Sequence, residues 1–339
     1  MNVDTLVSVV IPTFNRSDFI LKAVDSVIRQ TGIKFEIIVV DDGSNDDTED
    51  KLSDYIEKGV LFFIKQQNRG PAAARNLGIK RAKGNYICFL DADDTFEVNS
   101  IKDRVSVYEK YPQIGLLCSD FRETFLGKDN AIIQSTEFSR RKIIKNEFSE
   151  FVKIKDGDIH LFNKEIYYDP LLLRRMIWTG TVVVPKNVFA NVGFFNEELR
   201  IAEDIDLWLR IAKKYEIVFL SSSTATYFVH DGGITKNIPN YYNSTNTVLV
   251  KYLEQNPTLP LYCRKKITEK IASYFFIIGY YYYEKNKYKE AGFYFRKSIK
   301  YNCLFLNCYQ YAALTLLPYS VISGLRNFRR YLLGLRKTV

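Results

Sequence analysis

The stretch Phe89-Leu90-Asp91-Ala92-Asp93-Asp94 decides how the rest of the chain is read. Three carboxylates occupy four positions directly after the apolar run Tyr86 to Leu90, which predicts a buried strand. Like charges this close repel, so a fold keeps them together at a strand end when something positive binds there. A divalent cation carrying a diphosphate meets that need; a solvated acidic turn is the plainer alternative. The cluster contains neither Cys nor His, and oxygen-only ligands favour Mg²⁺ or Mn²⁺ over Zn²⁺.

Working outward, the first 120 residues alternate between apolar runs and helical periods. Val7 to Ile11 predicts a strand closed by Pro12. Asp18 to Gln30 predicts a helix capped by Ser17, with Phe19, Ile20, Ala23, Val24, Val27 and Ile28 at helical spacing. Phe35 to Val40 predicts a second buried strand, ending in the turn Asp41-Asp42-Gly43-Ser44. A helix near Thr48 to Glu57, a strand near Val60 to Ile64 and a helix from Pro71 to Ala82 lead into the strand that ends at Asp91. Fully apolar strands alternating with helices mean an α/β fold: a Rossmann-like, mostly parallel sheet with helices on both faces. Ligands bind such sheets at the C-terminal strand ends, so Pro12-Thr13, Asp41-Asp42 and Asp91-Ala92-Asp93 should converge on one crevice. From Glu123 to about Arg175 no period is visible, and we expect a long excursion over the sheet, a position suited to a second substrate. Order returns with Trp178 to Val184, an amphipathic helix around Ile205 to Ala212 and a strand at Ile217 to Leu220.

At 339 residues the chain exceeds one ordinary core, so two units are expected. The net charge of +9 is uneven: Tyr241 to Val339 holds 16 Lys/Arg against 4 Asp/Glu, and the remainder is slightly acidic. That asymmetry points to a polyanionic partner, either nucleic acid or anionic lipid. Nucleic acid is disfavoured, because the basic region lacks any recognised module and alternates with apolar helix faces. Five scattered cysteines without a CxxC pair fit a reducing compartment, and no basic segment precedes the first apolar run, so a cytoplasmic location is expected. Where a phosphate-binding glycine loop would follow strand one, the chain has Pro12-Thr13-Phe14-Asn15; this argues against a nucleotidyl pyrophosphorylase, a dinucleotide dehydrogenase and a P-loop enzyme.

The C-terminal part reads as helical. Gly279, Tyr282, Ala291 and Phe295 follow the spacing of one tetratricopeptide-like unit, which predicts a helical hairpin packed on the main domain. Val321, Ile322, Leu325, Phe328, Leu332 and Leu335 recur every three to four residues, with Arg326, Arg329, Arg330 and Lys337 on the polar side. A basic amphipathic helix of this kind lies on anionic membranes; a helix packed on the protein is the alternative. Leu304 to Leu325 carries no charge, but its Asn, Gln, Pro and Ser residues favour a packed or interfacial hairpin over a membrane span.

Taken in order, Ser8 to Asn15, Val39 to Ser44, Asn68-Arg69-Gly70 with Ala74-Arg75-Asn76, Phe89 to Asp94, and Ala202 to Arg210 resemble the motifs of family 2 inverting glycosyltransferases of the GT-A fold, of the bacterial surface-polysaccharide type. The resemblance covers roughly residues 5 to 235. It implies a nucleotide-sugar domain over 1–237, followed by a basic helical extension over 238–339. By resemblance Asp41 accepts a hydrogen bond from the nucleotide base. A carboxylate can only accept, which suits uracil, thymine or guanine and argues against cytosine; helix capping is its structural alternative, and the better reading for Asp42 and Ser44. Pro12 and Thr13 line the same wall, and Pro12 can equally serve as a strand stop. The family pattern gives Asp93 the metal, Asp91 the ribose side and Asp94 a supporting place or a cap. Arg75 becomes a further diphosphate contact, or a solvated or paired helix residue. Asp204 becomes the general base for the acceptor hydroxyl, with Glu203 in support, although acidic residues at a helix start are favoured anyway. His230 becomes a metal or diphosphate ligand, and Trp178 either an acceptor platform or a core residue. The expected reaction is metal-dependent, inverting transfer from a nucleotide-diphosphate sugar, a UDP-sugar foremost. The acceptor would be a hydroxyl of a glycan or lipid-linked glycan at the inner face of the cytoplasmic membrane. The rival reading is an inactive GT-A scaffold that acts through its helical tail.

Overall fold

In a computed structural model of the chain, residues 5–127, 132–138, 149–230, 237–302, 306–317 and 321 are described. By contacts the chain divides into Met1–Gly233 and Ile234–Val339.

The first unit opens with β1 (Leu6–Thr13), α1 (Ile20–Ile28), β2 (Lys34–Asp41), α2 (Thr48–Glu57), β3 (Phe62–Lys65), α3 (Pro71–Arg81) and β4 (Tyr86–Phe89). Then come β5 (Thr95–Phe96), α4 (Ser100–Lys110), β6 (Ile114–Leu126), β7 (Ile132–Phe138), β8 (Val152–Asp156), β9 (Ile159–Phe162), α5 (Pro170–Met176), β10 (Val183–Pro185), α6 (Lys186–Val192), α7 (Glu203–Lys214) and β11 (Glu216–Val229). The strands form one sheet in the order β3-β2-β1-β4-β10-β6-β11-β9-β8, with β5 on β11 and β7 on β6. The β3-β2-β1-β4 half is parallel throughout, and β10 then runs antiparallel between β4 and β6. The expected α/β sheet is therefore present as a mixed one: the β3-β2-β1-β4 half and the β6–β11 pair are parallel, while β5, β7, β8, β9 and β10 pair antiparallel.

Continuous Val and Ile runs are buried here because helices cover both faces. Val9, Ile37 and Val39 pack with Val24 and Val27 of α1, while Val10 meets α3. At that contact Gly78 is required by close approach, since a Cβ there would overlap the Val10 side chain. Pro12 does not close β1. It stays in register opposite Val40, and Thr13 pairs with Asp41 beyond it. Ser17 does not cap α1, which starts after Phe19 without a side-chain cap. The described residues between Glu123 and Arg175 are more ordered than the sequence suggests. The β8–β9 hairpin adds to the sheet edge through β11, and Asp169 caps α5 by accepting from the Leu172 amide.

The second unit contains α8 (Ile238–Gln255), α9 (Leu261–Glu284), α10 (Tyr288–Tyr301) and α11 (Leu306–Leu314). The tetratricopeptide-like spacing corresponds to the α9–α10 hairpin. A Cβ at Gly279 would come within 2.7 Å of the Phe295 ring, and Ala291 and Phe295 are fully buried. Among the described residues no helix is long and apolar enough to cross a membrane. The predicted amphipathic tail beyond Val321 lies outside the described residues.

Candidate active site

The parallel half of the sheet brings its C-terminal ends together, and the chemistry collects there. Thr13 and Asp41 are register partners on β1 and β2. Asp41 is fully buried, and its Oδ1 accepts from the Ser44 amide (2.9 Å) and hydroxyl (2.5 Å). Its Oδ2 is buried with no hydrogen-bond partner, only Lys65 Nζ at 3.8 Å. Thr13 Oγ1 is likewise buried without a partner. An unsatisfied buried polar atom is costly, and these two lie on adjacent strands at the C-terminal end of the parallel half-sheet. Neither Asp42 nor Ser44 caps a helix. Asp42 accepts from the amides of Arg69 and Gly70 and from Gln66, fixing the 66–70 loop, while Ser44 holds Asp41 and accepts from the Asn15 amide.

At the end of β4, Asp93 Oδ2 lies 2.9 Å from His230 Nε2 and 3.1 Å from Arg16 Nε. Burial pushes the Asp93 carboxyl up, but the His230 hydrogen bond and the Arg16 charge hold it below the ordinary carboxylate range. His230 stacks on Phe19. Asp94 is buried and does not cap the following helix. Its Oδ1 accepts from the Phe228 amide, tying the acidic turn to the strand that leads to His230. Burial, then Asp93 and Asp91, push its carboxyl well above the usual range. Burial and the same three aspartates raise Tyr227 to about 12. The site is thus strongly electronegative. Among the described residues no three His, Cys, Asp or Glu side chains gather into a metal-holding group. Asp93 and His230 place one carboxylate and one imidazole side by side, 2.9 Å apart, at the end of β4.

Arg75 of α3 joins the two acidic motifs. Its Nη2 donates to Asp91 Oδ1 at 2.7 Å and its Nη1 to Glu203 Oε1 at 2.6 Å, while Phe195 covers the guanidinium. Burial opposes the charge, yet the two carboxylates hold Arg75 above the ordinary guanidinium range. Of its two sequence readings, the paired helix residue describes these contacts. Glu203 is pushed up to about 7, chiefly by burial and then by Asp204, against the pull of Arg75. Asp204 is half-buried, accepting from Thr179 Oγ1 at 3.2 Å and from the Ile205 amide. Before them Ala202, at the start of α7, takes a left-handed φ of 67°, an unfavourable backbone for a residue with a Cβ. Trp178 is half-buried against Phe121 and Tyr227, with centroids at 4.6 and 5.3 Å.

Sequence reading missed Arg16 as a site residue. Arg16 follows Asn15, whose φ of 51° turns the chain back toward Asp93, and no periodicity marks such a loop. The one signal was electrostatic: a crowded acidic turn calls for nearby cations.

Residues 8–169 match the model of glycosyl transferase family 2. The chain is 31% identical, over 76% of its length, to an uncharacterized glycosyltransferase of Rickettsia felis, of which it covers 38%. It is 29% identical, over 68% of its length, to the Escherichia coli UDP-Glc:alpha-D-GlcNAc-diphosphoundecaprenol beta-1,3-glucosyltransferase WfaP, covering 80% of that protein. The structure resembles S. aureus TarS 1-349 in complex with UDP-GlcNAc, with a TM-score of 0.56 at 18% identity, over 86% of this chain and 81% of that one. The chain spans less than two fifths of the length of several of the curated relatives it matches.

Proposed function

Residues 8–169 belong to glycosyl transferase family 2, and from that premise we propose that the chain is a metal-dependent inverting transferase that moves a sugar from a UDP-sugar to a glycan or lipid-linked glycan hydroxyl. The observation that carries this reading is the buried, hydrogen-bond-free Oδ2 of Asp41 beside the equally orphaned Thr13 Oγ1. The base of the nucleotide is read there: an acceptor-only carboxylate selects a ring N–H, which uracil presents and cytosine lacks. Asp91, with its Arg75-bound oxygen fixed, faces the ribose side. Asp93 and His230 would hold Mn²⁺ or Mg²⁺, which when bound offsets diphosphate charge as the glycosidic bond to the leaving group breaks. Asp204, oriented by Thr179 and the Ile205 amide, takes the proton from the acceptor hydroxyl. Inversion needs one such carboxylate opposite the leaving group and no covalent sugar–enzyme intermediate. Glu203 and Arg75 keep Asp204 in register with the donor side.

The uridine nucleotide in the E. coli relative's name supports a UDP-linked donor, and its diphosphoundecaprenol acceptor supports a lipid-linked one. A lipid-linked acceptor, together with the basic C-terminal part, supports a peripheral place on the inner face of the cytoplasmic membrane. The test is calorimetric titration of UDP, dTDP, GDP and CMP with Mn²⁺ and with EDTA. Metal-dependent binding of UDP alone, lost in Asp93→Ala, is expected. Absence of binding to all four would overturn the reading in favour of an inactive scaffold.

A further inference from the structure

Arg16 and His230 both address one oxygen of Asp93, at 3.1 and 2.9 Å. The two groups differ chemically. An imidazole can be neutral and turn a nitrogen lone pair to a cation, whereas a guanidinium keeps its charge and has no lone pair to offer. A dication on Asp93 would therefore be held by His230 but repelled by Arg16, unless an anion lies between them. A diphosphate is such an anion, and its oxygens match the planar donor fork of arginine.

Arg16 is also tied to the base wall. The Asn15 amide donates to Ser44 Oγ (2.8 Å), and Asn15 Oδ1 accepts from the Asn45 amide (2.9 Å). Ser44 in turn donates to Asp41 Oδ1, and the Ser17 amide donates to Asp46. Arg16 is thus clamped on both sides by the loop that presents Asp41. Its side chain is partly exposed, at 22%, and its Nη1 also donates to the Asn15 carbonyl.

We propose that Arg16 is a diphosphate-binding residue that makes cation binding at Asp93 conditional on the nucleotide. This rests on the nucleotide site proposed above. Without nucleotide its charge opposes the cation; with nucleotide it pairs with phosphate oxygens, and the two ligands then strengthen each other. By linkage, UDP raises Mn²⁺ affinity by the same factor as Mn²⁺ raises UDP affinity.

The experiment measures Mn²⁺ binding by electron paramagnetic resonance, with and without UDP, on full-length wild type, Arg16→Gln and Arg16→Lys. Asp93→Asn serves as the control that the signal reports this carboxylate. Without UDP, Arg16→Gln should bind Mn²⁺ at least fivefold tighter than wild type, and Arg16→Lys should stay near wild type. With Mn²⁺ present, Arg16→Gln should bind UDP at least fivefold more weakly, so the mutual enhancement shrinks. Unchanged or weaker Mn²⁺ binding by Arg16→Gln without UDP would overturn the proposal while leaving the nucleotide site intact. Wild type that fails to bind UDP under any condition would overturn both.

Discussion

His230 Nε2 lies 2.9 Å from Asp93 Oδ2 although 137 residues separate them in sequence. The contact closes the site because Asp94, next to Asp93, binds the Phe228 amide two residues before His230. One turn thus fixes both partners. His230→Ala should weaken Mn²⁺-dependent UDP binding about 10- to 100-fold, the range typical of a lost ligand or its support. UDP binding in EDTA should change little. Paired titrations with Mn²⁺ and with EDTA check this, and an equal loss under both conditions would assign His230 to the nucleotide and not to the cation.

Asp94→Ala removes that tie without touching Asp93. Because the Phe228 amide would lose its acceptor, a loss of about 1–3 kcal/mol of stability is expected. Metal-dependent UDP binding should weaken as well, since His230 is positioned from the same strand. Denaturant midpoints and calorimetry on one preparation separate the two effects.

Arg75 sits between Asp91 and Glu203; Arg75 and Glu203 are buried, and Asp91 is partly exposed. Arg75→Met would leave two carboxylates without their cation, and removing one partner of a buried pair costs about 3–5 kcal/mol. Arg75→Lys should recover only part, because a single ammonium cannot reproduce the fork. A double-mutant cycle with Glu203→Gln should give a coupling energy of roughly 1–3 kcal/mol. A coupling near zero would mean that the ion pair does not link the two motifs.

The contrast between Asp41 and Arg16 explains what the sequence made legible. Asp41 ends an uninterrupted apolar run, so its place at a strand end follows from the run itself, and the same logic locates Asp91 and Asp93. Arg16 lies in a turn set by the left-handed Asn15, where neither period nor composition signals direction. Strand β11 was half hidden for a related reason: the predicted strand stops at Leu220, yet β11 continues through Ser221-Ser222-Ser223-Thr224 across register shifts to Val229. Polar strand residues are stabilised by partners that only the fold supplies, such as the Thr224 and Ser119 hydroxyls at 2.5 Å. The β8–β9 hairpin escaped because exposed edge strands carry Lys and Asp and lose their apolar period.

In the helical unit, Gly279→Ala sets two effects against each other. Alanine favours a helix by about 1 kcal/mol over glycine. The added Cβ, however, would sit 2.7 Å from two Phe295 ring atoms and 3.3 Å from the Ala291 carbonyl oxygen. Overpacking of this kind costs about 1–3 kcal/mol, so a net loss is expected. Phe295→Leu in the Gly279→Ala background should recover part of that loss relative to Phe295→Leu alone. Thermal melts of the four proteins decide it.

The carboxyl of Glu203 gives the last prediction, a pH dependence with a definite sign. Burial and Asp204 raise it from 4.5 to about 7 in the native protein. Between those values the native state holds a proton that the unfolded chain has released, so its stabilising contribution is complete below about pH 4.5 and is lost as pH rises through 7. Glu203→Gln has no proton to lose and keeps an oxygen to accept from Arg75. The stability difference between wild type and Glu203→Gln should therefore shift against wild type as pH rises from 5 to 8. The shift should be at most on the order of 3 kcal/mol, since each unit of displacement corresponds to about 1.4 kcal/mol. Because Asp94 is also raised and is present in both proteins, taking the difference removes its contribution. Denaturant titrations at intervals across that range provide the measurement. A difference that stays flat, or moves the opposite way, would mean that Arg75 keeps Glu203 ionised throughout and that its charge is a permanent part of the site.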